Sequence, residues 1–198
     1  MKKAFFLLLP FLFLFLKTNA QTDRDAIRKR VGEYFEATEK KDWKGVMDMI
    51  YPKLFSYIGK EDMAQVFKDM ESEGMNIEMK NFEAKSISDI VVFGGEKFAL
   101  LNYDVGMTIF LTSQEFRDSS VQAILKTSFE TSYGADNIIH NKANYSFDIN
   151  AFRSMFAVAR EGSDEWFFVE NDPTQDELTA MLIPEEVRRQ LLPMEKKN

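Results

Sequence analysis

Between Lys97 and Leu111 the chain alternates in polarity over a length that few folds accommodate, and this stretch constrains the architecture more than any other. Ala99, Leu101, Tyr103, Val105, Met107, Ile109 and Leu111 occupy every second position, so an extended strand puts all of them on one face. A continuous apolar face of that length has to be covered. The opposite face reads Phe98, Leu100, Asn102, Asp104, Gly106, Thr108 and Phe110 and is half polar. Gly94-Gly95 supplies the positive φ of a hairpin turn back to Ile90–Phe93, and Gly106 lets so long a strand bend or bulge.

The cover is expected from the amino-terminal third. Ile27, Val31, Tyr34 and Phe35 fall on one face of a helix between Asp23 and Lys41, with Thr22 and Asp25 as its cap. Asp42 is placed to cap a second helix that buries Trp43, Val46, Met47 and Ile50 before Pro52 stops it. A third, from Lys60 to Glu71, carries Met63, Val66, Phe67 and Met70 on one side. After Gly74 the period becomes two, through Met75, Ile77 and Met79.

Further on, Ser119 and Gln122 form a capping-box pattern opening a helix over 119–132, with Val121, Ile124, Leu125 and Phe129 as its stripe. Strands resume over Ala143–Asn150 and Ser154–Arg160. Trp166-Phe167-Phe168-Val169 is apolar on both faces and reads as a central strand. Two short proline-started helices close the chain after Pro173 and Pro184. Helices first, then antiparallel strands, define an α+β domain.

The ends and the composition bound the compartment. Lys2-Lys3, an apolar run from Ala4 to Leu16 and a small-residue exit at Ala20 have the three parts of a secretory signal, so residues 1–20 are expected to be a cleaved leader and 21–198 a single domain. The run is short for a membrane span and Pro10 interrupts it. With no cysteine, neither a disulfide nor a lipidated terminal cysteine can form. The leader holds three of the 25 basic residues and none of the 32 acidic ones, so the remainder carries a net charge of −10. Such a surface disfavours nucleic acid and anionic membranes. The expectation is an exported protein, periplasmic or extracellular.

The opening helix, the Lys41-Asp42-Trp43 entry to a second helix ending at Tyr51-Pro52, the Trp166-Phe167-Phe168-Val169 strand and the terminal Ile183-Pro184-Glu185-Glu186-Val187 helix together resemble the nuclear transport factor 2-like superfamily (NTF2-like, with cystatin-like and SnoaL-like relatives), and within it a branch of exported bacterial proteins. The resemblance covers most of residues 23–192. It implies a cone: amino-terminal helices packed on a curved antiparallel sheet, with a pocket at the open end used for catalysis or for binding. Enzymes of the family, the ketosteroid isomerases and polyketide cyclases, place a carboxylate base in that pocket with a Tyr or protonated acid opposite.

Here the segment Lys53–Gly59, where the resemblance implies the base, contains no acid. Asp104 and Asp148 are the remaining candidates, and alternation puts Asp104 away from the apolar face. His140, the single histidine, sits among Asn137, Asn141 and Lys142 and reads as surface. One histidine and no cysteine give no zinc site. Met47, Met49, Met63, Met70, Met75 and Met79 read as core rather than as copper ligands. Asn144-Tyr145-Ser146 matches a glycosylation acceptor, and the acidic run from Glu170 to Glu177 reads as a solvated cap. Neither cofactor nor metal is expected.

Aromatic side chains remain. Tyr34, Tyr57, Tyr103, Trp166 and Phe168 are the candidate ligand-binding residues, with core filling as the plainer role for most. The expectation is a non-catalytic module binding a small apolar ligand or a protein partner, with a homodimer through the open sheet face as one arrangement. The rival is an isomerase or lyase using a pocket carboxylate.

Overall fold

The computed structural model describes residues 9–192, with side chains from Ala20 onward except those of Ala64 and Phe67. The expected leader therefore lies partly outside the described residues. The first helix, α1 (Leu9–Glu39), passes through residue 20 without interruption. Thr22 and Asp25 accordingly lie inside a helix and not at its amino end, where the orphan amides that need a cap are found. Asp25 instead accepts from the Gln21 side chain one turn earlier, at 3.0 Å. Among the described residues no helix is long and apolar enough to cross a membrane.

The helical third follows its periodicity. Ile27, Val31 and Phe35 are buried on α1. Asp42 caps α2 (Trp43–Met49), its carboxylate accepting from the Gly45 amide at 3.0 Å. A 3-10 turn at Pro52–Ser56 leads to α3 (Lys60–Glu73), which ends where Gly74 takes φ 101°, a left-handed conformation natural only to glycine.

Then come β1 (Met75–Ile87), β2 (Val91–Phe93), β3 (Glu96–Leu111), α4 (Ser119–Tyr133), β4 (Ile138–Asn141), β5 (Ser146–Arg160), β6 (Phe167–Glu170), α5 (Asp176–Leu182) and α6 (Glu185–Leu191). All six strands join one antiparallel sheet in which β3 lies between β5 and the pair β1 and β2, while β5 takes β4 and β6 along its far edge. Opposite Gly106 the partner strand slips register between Lys80 and Glu83, with Asn81 at φ 56°. A Cβ on Gly106 would lie 3.3 Å from the Lys80 carbonyl, so glycine is what lets the bulge close up on β3.

Each face of β3 is covered where it is apolar. Ala99, Leu101, Tyr103 and Val105 pack under Ile27, Val31 and Phe35 of α1. Phe98 and Leu100 point the other way, with Phe156 and Val158 of β5, and are covered by α2, the 3-10 turn, α5 and α6. Helices therefore lie on both sides at this end, where the alternation pattern alone suggested one side. Ile109 and Leu111 are covered by Phe129 and Leu125 of α4, which places that helix over the far end of the same face as α1.

Three sequence expectations are corrected. β6 is an edge strand, not a central one: its outer side meets only a single bridge from Ile50, and it is apolar on both faces because a helix layer covers each. The cap of α4 is Asp118, which accepts from the Ser120 and Val121 amides, while Gln122 is buried and donates to the Arg117 carbonyl. The two strands expected over 143–160 are one, β5, and β4 pairs beside it.

One buried ion pair ties α1 to the sheet. Asp23 and Lys97 are 8 % and 9 % exposed and hydrogen-bonded to each other, and the Lys97 ammonium lies 4.9 Å from the Trp166 ring centre. Removing one partner leaves an uncompensated buried charge. Asp23→Ala should cost about 3 kcal/mol of unfolding free energy, while Asp23→Ala with Lys97→Met should recover most of it. Urea denaturation of both variants measures the difference.

Candidate functional site

Strand register assembles the site. Tyr103 of β3 pairs directly with Arg153 of β5, and Met155, two residues on and so on the same face, pairs with Glu170 of β6. Tyr103, Arg153 and Glu170 thus project from neighbouring strands toward α1. The Tyr103 hydroxyl donates to Glu170 Oε1 at 2.6 Å. Arg153 lies 3.8 Å from Glu170 Oε2, beyond hydrogen-bond reach, and 3.3 Å from Asp172. Asp172 also caps the 3-10 turn after it, accepting from the Thr174 amide at 2.9 Å and hydroxyl at 2.7 Å. Asn171 bonds Ser154 through backbone and side chain, which fixes the end of β6 against β5.

These groups open on a cavity of about 370 Å³. Its walls include Met79 and Phe82 of β1, Val105 and Met107 of β3, Tyr133 of α4, and Met47 and Leu182 from the layer behind the sheet. Residues from both faces of the sheet contribute. Apolar side chains dominate the walls; Arg153, Glu170 and Asp172 lie beside one another among them, and Tyr34, Thr38, Tyr133, Gln175 and Thr179 add further polar groups.

Although 36 % of the Glu170 side chain is accessible, that surface faces the cavity, and Oε2 itself is sealed off with no hydrogen-bond partner among the described residues. The carboxyl group therefore sits in the wall of the void with one oxygen sealed off. Burial raises its pKa to about 7, against the lowering effects of the Tyr103 hydroxyl and Arg153. Asp172 differs: burial would raise it, but the Thr174 hydroxyl and amide and Arg153 outweigh this and hold it below the usual range. Arg153 is consequently shared with a firmly ionised Asp172. Tyr34 is raised by burial and then by the Glu170 charge, so its phenol stays protonated. Its hydroxyl has no hydrogen-bond partner among the described residues and is one of the donors the site offers.

The structure separates the sequence candidates. Tyr34 and Phe168 line the cavity, their ring centres 5.6 Å apart and their planes tilted by 57°. Tyr103 is buried and reaches the site through its hydroxyl. Trp166 is fully buried beneath Lys97, in the core and not on the cavity wall, while Tyr57 is 49 % exposed on the surface. Asp104 is half exposed in an ion pair with Lys85, and Asp148 is bonded to Thr108 and Asn141, so neither aspartate is the pocket carboxylate. His140, read as surface, is half-buried in β4, stacked on Phe147.

The residue that sequence reasoning missed is Glu170, taken there as the start of a solvated acidic run. Parity carried the signal: Glu170 shares its face with Trp166 and Phe168, both buried, and not with Phe167.

No family model and no curated protein matches the chain. Among solved structures, that of a candidate dehydratase of the NTF2-like family from Streptomyces avermitilis is similar over 75 % of this chain and 93 % of its own, at 10 % identity and a TM-score of 0.37. Helices packed on a six-stranded antiparallel sheet make the chain an α+β protein.

Glu170 gives stability a definite pH dependence. Between its ordinary value of 4.5 and about 7 the folded state binds more protons than the unfolded state, so this contribution is complete below the lower value and is lost as pH rises to the upper one. Glu170→Gln removes it. Urea midpoints at about pH 4 and about pH 8 should show the variant gaining on the parent protein at the higher pH.

Proposed function

We propose that the cavity binds a small, largely apolar molecule with one polar end, and that Tyr34, Glu170 and Arg153 hold that end. The observation that carries this reading is the makeup of the cavity, a largely apolar volume of about 370 Å³ into whose wall Arg153, Glu170 and Asp172 are set beside one another. Ligand pockets are built this way, with apolar walls supplying affinity and a few polar atoms fixing orientation. Met47, Met63, Met79 and Met107 in the walls suit a ligand of flexible or variable shape, because thioether side chains repack at little cost. The protonated Tyr34 phenol donates to a carbonyl or hydroxyl oxygen, and Glu170 receives a donor or, when protonated, supplies one.

A second reading has its own observation. Glu170, with a pKa near neutrality and bonded to Tyr103, is suited to moving a proton on a bound carbon acid, with the Tyr34 hydroxyl taking up charge on oxygen. This is the isomerase or lyase reading with the carboxylate on β6 instead of at Asp104 or Asp148. Export of the chain and a homodimer through the open sheet face remain proposals resting on the sequence pattern.

Binding is tested with N-phenyl-1-naphthylamine, a neutral apolar fluorophore. Saturable enhancement is expected, reduced about tenfold in affinity by Met107→Trp, which fills the cavity; unsaturable or unchanged fluorescence contradicts the proposal. Deuterium uptake into 2-tetralone, an apolar ketone with an acidic C–H, separates the two readings. Exchange above the solvent rate that is lost in Glu170→Gln supports proton transfer, and exchange at the solvent rate leaves binding alone.

A further inference from the structure

A second cleft, of about 350 Å³, lies between the start of α4, β4 and the turn joining β4 to β5, lined by Arg117, Gln122, Lys126, His140, Lys142 and Tyr145. Its charge is opposite to that of the chain, in which acidic residues outnumber basic ones 32 to 25. Among the described residues no carboxylate forms an ion pair with Arg117 or Lys142, although carboxylates are abundant; Lys126 pairs with Glu130 one turn along α4. Asp118, next to Arg117, is occupied in capping α4. Asp148 of β5 is occupied by Thr108 and Asn141.

Arg117 is held in place. Arg117 donates through Nε to the Leu111 carbonyl at 3.1 Å and lies 4.9 Å from the Tyr145 ring centre. Among the described residues no acceptor takes its terminal nitrogens, which form the fork that fits a tetrahedral oxyanion. Tyr145 is itself held at φ 50°, a conformation that bulky side chains rarely adopt, and its carbonyl accepts from the Leu111 amide at 2.8 Å. That backbone keeps the ring under the guanidinium. Gln122 donates to the Arg117 carbonyl at 2.7 Å, which fixes its Oε1 as the acceptor 2.8 Å from His140 Nε2. His140 is therefore protonated on Nε2, and in its neutral form Nδ1 carries a lone pair. Burial, then Lys142 and Lys126, lowers its pKa.

We infer that this cleft binds a phosphate or sulfate group, with Arg117 and Lys142 as its principal contacts. The cleft is larger than one such anion needs, which leaves room for a molecule that carries the group. The site is separate from the cavity beside Glu170, and neither proposal depends on the other.

His140 is the single histidine of the chain, so its imidazole resonance reports the cleft without assignment ambiguity. Inorganic phosphate is titrated at constant ionic strength, with sodium chloride as the blank. The expected result is a saturable shift together with a raised titration midpoint of the imidazole, because a bound anion favours its charged form. Arg117→Gln and Lys142→Gln should each weaken binding about tenfold, while Lys29→Gln, which alters an exposed cation on α1, should leave it unchanged. A thermal midpoint like that of the parent protein shows that each variant folds.

A shift that follows ionic strength alone, or one that survives both substitutions, overturns the inference. Phenyl phosphate distinguishes the source of the group. Tighter binding than inorganic phosphate, lost in the same two variants, shows that a carried phosphate is recognised; equal or weaker binding with the same losses shows that the free anion is the ligand.

Discussion

The structure depends on a mismatch of lengths. A sixteen-residue strand such as β3 extends for about 50 Å, whereas the buried stretch of α1 from Asp23 to Thr38 covers about 23 Å. One helix cannot seal the apolar face of such a strand. α1 takes the part around Leu101 and Tyr103, and α4 takes the part around Ile109 and Leu111. Between them lie Val105 and Met107, which face the cavity. The void follows from covering one long face with two separate helices.

Where that void meets the edge of the sheet, a charge is buried beside it. Glu170 has one strong hydrogen bond, from Tyr103, and a cation too distant to bond and already engaged by Asp172. A carboxyl group so placed is poorly compensated, which raises its affinity for a proton and leaves an oxygen without a partner. Natural cores rarely keep such a group unless it has a use. Nearby, Tyr34 offers a hydroxyl that takes part in no hydrogen bond among the described residues, so the cavity keeps a polar atom for a ligand beside groups that bond one another.

Much of this was legible before the fold. The α1 stripe, the Asp42 cap, the Gly94-Gly95 hairpin and the inward side of β3 follow from short-range periodicity and turn chemistry, which a chain displays locally. The bend allowed by Gly106 was readable too, although it appears as a bulge in the facing strand. What failed depended on distant partners. Whether Phe167 to Val169 is central or at an edge depends on what lies beside it, and two covering layers can make an edge strand apolar on both faces. His140 looked solvated because its stacking partner and hydrogen-bond partner lie on other elements. Glu170 was masked by the acids that follow it, although strand parity with Trp166 and Phe168 already pointed it inward.

The most direct measurement is the titration of the Glu170 carboxyl carbon by carbon-detected NMR, assigned by its loss in Glu170→Gln. A midpoint near the value of about 7 set by burial beside the cavity is the predicted result. A midpoint at the ordinary value of 4.5 would show a solvated side chain, and the site assembled around Tyr103 and Arg153 would not exist in solution.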